Sequence, residues 1–117
     1  MPSRDWQFRI RDIVQAITAI RQCVNNMTFD DFRSQETLVK AVLYDFLIIG
    51  EAAINIPQEI QVRYPEIPWR IMGDMRNVMA HEYFQVNLNI VWRTIENNLT
   101  TVLLQLQELM EREGIEE

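Results

Sequence analysis

Nine consecutive residues, Arg76 to Phe84 (RNVMAHEYF), hold the side chains from which a phosphate-and-proton site can be built. His81 is the one histidine in the chain. Its imidazole titrates near neutral pH and can give or take a proton. Arg76 stays charged and presents a planar fork of donors that fits a phosphate. Together they can support cleavage of a ribonucleotide backbone without a metal. The base takes the ribose 2′-OH proton and the cation stabilises charge on the phosphorane. Acid and base roles each need a group, and two copies related by two-fold symmetry would supply both from one histidine per chain. One histidine with no local cysteine makes a poor transition-metal cluster, so neither a metal nor another cofactor is expected. The plainer alternative is that His81 and Tyr83 cap and plug a helix end, with Arg76 in a surface salt bridge.

These residues need a scaffold, and the apolar spacing points to helices. Trp6, Ile10, Ile13, Ile17, Ile20 and Val24 mark a first helix over 4–24, with Ser3 as its N-cap and Asn25-Asn26 as its stop. Thr28 and Asp31 have the spacing of a capping box on a short connection. Leu38, Val42, Phe46, Ile49, Ala53 and Ile56 stripe a second helix over 35–56, and Leu43 and Leu47 widen it toward two neighbours. Gly50 in that helix costs about 1 kcal/mol against alanine and signals close helix contact. Glu51 beside it is either a surface glutamate or a buried carboxylate that supports Arg76 across the bundle. A short helix over 57–63 and the breaker YPEIPW precede a third helix over 68–81. Asn87 caps a fourth long helix over 88–112, and Gly114 stops it. Arg76 and His81, five residues apart, sit about 140° apart on a continuous helix. A helix end near Ala80 or His81 would let both point into one cleft.

No strand pattern or repeat appears, and 117 residues suit one domain, 1–117, with an acidic tail at 112–117. The fold class expected is all-α, an up-and-down bundle of four main helices plus a short one, dimerising. Trp6, Trp69 and Trp92 read as core. Tyr64 reads either way, Arg70 and Asp74 read as a solvated pair, and Arg9 and Arg11 line either an RNA groove or a solvated face. Cys23 reads as a buried reduced thiol, which suits a cytoplasmic setting. No run approaches the roughly 20 apolar residues of a membrane helix, and the charged N-terminus lacks a signal core. The net charge of −6 disfavours nucleic acid at first sight. Residues 82–117 hold seven glutamates and two arginines, however, whereas 57–81 hold three arginines and three acids. A small RNA site around Arg76 is compatible with that distribution. No DNA or membrane partner is expected.

The order Arg-Asn, three residues, His, one residue, Tyr resembles the signature of HEPN-domain ribonucleases, and Tyr83 two places after His81 resembles their HepT branch. IGEAA at 49–53, PEIPW at 65–69 and VW at 91–92 resemble that family in order and spacing. The resemblance implies an all-α homodimer with metal-independent endoribonuclease activity, the toxin of a type VII toxin–antitoxin system. It implies Arg76 and His81 as the catalytic pair facing a shared cleft, and Asn77 as support. It implies AMPylation of Tyr83 by an MntA-type nucleotidyltransferase antitoxin, in a dimer or a larger hetero-oligomer. AMP there would compete with RNA phosphate for Arg76 and occlude His81. Two rival readings remain: a non-catalytic module that binds the nucleotidyltransferase, and a nucleotide-binding domain with Arg76 on a phosphate.

Overall fold

Isoleucines 10, 13, 17 and 20 recur at three- and four-residue steps, and α1 (Trp6–Cys23) turns all four fully inward. The computed structural model describes residues 5–116; these are helices and turns, with no strand among them. Asp5 occupies the cap position of α1, and the expected cap Ser3 lies outside the described residues. The helix stops where expected: Asn26 takes φ 63°, a left-handed turn that asparagine tolerates. Cys23, expected buried, is a half-buried free thiol against the core.

The capping box forms on α2 (Phe29–Arg33): Thr28 Oγ1 accepts from Asp31 N–H at 3.1 Å, and Asp31 Oδ2 accepts from Thr28 N–H at 3.1 Å. The wide apolar face of α3 (Glu36–Ile54) does serve two neighbours, since α3 packs against both α1 and α5 (Trp69–His81). Between them, α4 (Gln58–Arg63) starts after Pro57, and α5 starts after Pro68. Trp69 is buried, and its indole N–H donates to the Tyr64 carbonyl at 3.0 Å. Trp92 is buried under Phe32, with ring centroids 5.2 Å apart, whereas Trp6 is only half-buried. Tyr64 is buried too, and its hydroxyl donates to Glu113 Oε2 at 2.7 Å.

The fourth helix is not one helix. It divides at Asn98 (φ −121°, ψ −36°) into α6 (Leu88–Asn97) and α7 (Leu99–Glu113). The apolar stripe stays in phase across the break, with Ile95, Leu99, Val102 and Leu106 all buried, so periodicity reads it as continuous. The Asn97-Asn98 pair favours local alternatives to helix. Thr94 Oγ1 donates back to the Ile90 carbonyl at 2.9 Å, a bond that bends helices. Asn87 caps α6 through its side chain, and Gly114 ends α7 at φ 71°, where a Cβ would be strained. No described helix is long and apolar enough to cross a membrane.

Candidate active site

The α3–α5 crossing positions the arginine. A Cβ built on Gly50 would lie 2.5 Å from the Arg76 backbone nitrogen and 2.9 Å from its Cα. Only a hydrogen fits there, so the two backbones touch and the Arg76 side chain leaves directly from the contact. Glu51, the next residue on α3, accepts from Arg76 Nε at 3.0 Å. This pair is open to solvent, with 42% of the arginine side chain and 48% of the glutamate side chain exposed. Glu51 thus does support Arg76 across the bundle, as one of the two readings held, but from the surface and not as a buried carboxylate. The bond fixes the guanidinium plane through Nε and leaves both terminal amino groups without a hydrogen bond among the described residues.

His81 is the last residue of α5, and it is exposed. The expectation that the helix end might swing it toward Arg76 is not met. Glu82 N–H still bonds the Val78 carbonyl at 2.8 Å, so helical geometry holds through His81 and the angle of about 140° survives. Asn77, one turn before His81, is exposed on the histidine's side of α5, whereas Arg76 and Ala80 share an open groove with Glu51. One chain therefore presents its arginine and its histidine in different directions. Neither His81 nor Asn77 makes a side-chain hydrogen bond among the described residues.

Tyr83 starts a 3-10 turn (Tyr83–Gln85). Its ring is half-buried against the core and meets Phe84 edge-on, with centroids 5.4 Å apart. Its hydroxyl has no protein partner among the described residues. Phe84 is 99% exposed. The plug reading is thus right about the Tyr83 ring and about an exposed Arg76 ion pair, but the His81 side chain caps no helix end among the described residues. Arg70 and Asp74 make no ion pair among the described residues. No group of three or more His, Cys, Asp or Glu side chains that could hold a metal ion is found among the described residues.

Sequence reasoning missed Tyr44. It lines the Arg76 groove from α3, and its seven-residue spacing from Glu51, two helical turns on one face, was the available signal. It also missed the partnership of Tyr64 and Arg63 with Glu113, which lies 49 and 50 residues away along the chain.

The family profile described as ribonuclease HepT-like matches residues 13–109. A protein of Thermococcus cleftensis named as a probable ribonuclease HepT is 34% identical over 100 residues, covering 86% of this chain and 91% of its own. A protein of Methanocaldococcus jannaschii, named provisionally as an RNase, is 32% identical over 110 residues, covering 94% and 91%. Another so named, from Caldanaerobacter subterraneus, is 32% identical over 104 residues, covering 89% and 93%. No solved structure gives a significant match. With the family profile spanning most of the fold and the Arg76–Tyr83 stretch inside it, the chain belongs to the HepT-like ribonuclease family.

Proposed function

We propose that this protein is a metal-independent endoribonuclease that cuts RNA in a cleft shared by two copies, with Arg76 and His81 as its catalytic pair. The observation that carries the reading is the geometry of α5. Arg76 is held by Glu51 with its terminal donors open, and His81 is exposed about 140° further round the same helix. A second copy brings a partner's imidazole to the side where this chain offers its guanidinium.

In the reaction, the partner's His81, neutral, takes the 2′-OH proton as the oxygen attacks phosphorus. Arg76 donates to the non-bridging oxygens of the phosphorane. The partner's His81, as imidazolium, protonates the departing 5′-oxygen. The products are a 2′,3′-cyclic phosphate and a 5′-hydroxyl. The names of the relatives support the ribonuclease assignment, and the apolar groove between α5 and α6 supports self-association. Ile71, Val78 and Ile90 on its lining are all exposed.

We infer further that the protein is the toxin of a type VII toxin–antitoxin pair acting in the cytoplasm. A nucleotidyltransferase of the MntA type would silence it by AMPylating Tyr83. The unpartnered Tyr83 hydroxyl, on a turn two residues past His81, suits an acceptor for AMP. The acidity of residues 82–117 favours the second reading, a non-catalytic module that binds the transferase. Cleavage of RNA by wild type and by His81→Ala in metal-chelating buffer decides between them. Loss of cutting in the variant supports the mechanism, and equal cutting by both refutes it. Intact mass after co-expression with the transferase tests the AMP adduct on Tyr83.

A further inference from the structure

Arg9 on α1 has no partner among the described residues. Its Nε is closed off from solvent and meets no acceptor. No hydrogen bond or ion pair holds the rest of the guanidinium among the described residues. A buried donor left this way costs stability, and the terminal amino groups, which are not buried, are the donors that an acceptor in the groove can reach. Arg11, one half-turn further along α1, is already engaged: its Nε donates to the Glu116 carbonyl at 2.6 Å and its guanidinium lies over Phe8. Arg9 instead lines the open groove between α1, α3 and α5 that Arg76 also lines. Tyr44 lines the same groove and is 62% exposed. It lies two turns of α3, roughly 10 Å, from Glu51. Two carboxylates also line it. Glu51 is matched by Arg76, and Asp12 has a contact of its own, so Arg9 is left as the unmatched cation.

The geometry points to a binding subsite for single-stranded RNA in this groove, with Arg9 holding a phosphate adjacent to the one at Arg76 and Tyr44 stacking a base. Guanidinium donors beside an exposed aromatic ring are the combination that binds single strands. The subsite deepens the ribonuclease reading and rests on it. It adds to the proposed Arg76–His81 chemistry, in which neither Arg9 nor Tyr44 is given a part.

The test measures binding of a short fluorescent single-stranded oligoribonucleotide to an uncut-substrate background, His81→Ala, with added Arg9→Gln or Tyr44→Ala. Arg9→Gln should bind about tenfold more weakly, and the slope of log affinity against log salt should fall by about 0.7, one phosphate contact. Arg9→Lys should restore the slope. Tyr44→Ala should weaken binding about tenfold with the slope unchanged, and Tyr44→Phe should not. In the wild-type background both losses should raise KM more than they lower kcat. If Arg9→Gln and Tyr44→Ala bind like the background while wild type cuts RNA and His81→Ala does not, the subsite is wrong and the ribonuclease reading stands. If wild type neither cuts nor binds the oligonucleotide, both fall.

Discussion

Gly50→Ala should damage stability and catalysis together, although helix propensity alone predicts the reverse. Alanine is favoured over glycine in a helix by about 1 kcal/mol. Here its methyl group would sit 2.5 Å from Arg76 N, 2.8 Å from Arg76 Cβ and 2.9 Å from Arg76 Cα. Two of these are backbone atoms, which cannot rotate away. Reaching ordinary contact at 3.4 Å means moving α3 and α5 apart by 3.4 − 2.5, about 0.9 Å. Forced separation of a packed contact costs about 1–3 kcal/mol, and the backbone obstacle puts this case at the upper end. After the propensity gain, a net loss of about 1–2 kcal/mol remains, a fall in Tm of roughly 4–8 °C for a domain of this size. The same movement carries Arg76 away from Glu51, stretching a 3.0 Å bond toward 4 Å. Misplacing a catalytic group by about 1 Å can lower turnover 100-fold, so the catalytic role proposed for Arg76 predicts a 10- to 100-fold loss of RNA cleavage. Urea unfolding gives the first quantity and single-turnover cleavage the second. Gly73→Ala is the control. A Cβ there meets only Ile54 Cγ1 at 3.2 Å, a side-chain atom that can shift, so stability should hold or rise slightly. A Gly50→Ala protein more stable than wild type and fully active would refute the reasoning.

Glu51→Gln should change stability by less than about 1 kcal/mol, because the ion pair is exposed, yet should lower kcat about tenfold by loosening Arg76; cleavage kinetics beside a melting curve separate the two. Ile90→Asp should leave the isolated chain stable, since Ile90 is exposed, and, under the proposed dimer, should shift sedimentation toward monomer and abolish cleavage. The hydrogen bond from Tyr64 and the Arg63 guanidinium hold the Glu113 carboxyl below its usual range. Its folded value lies under its unfolded value of about 4.5, so its stabilisation is present above that pH and is lost as pH falls through the folded value. Glu113→Gln should flatten the acid side of the stability–pH curve, read by chemical denaturation at stepped pH. Burial alone raises the Asp45 carboxyl. That sign is opposite: the charged form weakens the fold at neutral pH, so Asp45→Asn should raise Tm at pH 7 and not at pH 3.

The helical class, the core stripes, the capping box at Thr28 and the stop at Gly114 were all legible in the sequence. Each rests on neighbours within one or two turns of the chain, where spacing and local hydrogen bonding decide the outcome. Arg76, Asn77, His81 and Tyr83 were legible as near neighbours along the chain, but not the directions in which α5 turns them. Tertiary structure decided what it could not show. Gly50 signalled a close contact, but that the contact is the backbone of Arg76 depends on how α3 crosses α5. Glu51 left two readings open because its exposure is set by that crossing and not by its own helix. The break at Asn98 was hidden because a kink that keeps the buried stripe in phase leaves the apolar period intact. Arg9 and Tyr44 line one groove with Arg76 from two other helices, 67 and 32 positions away along the chain, and periodicity within one helix carries no information about which faces three helices turn toward each other.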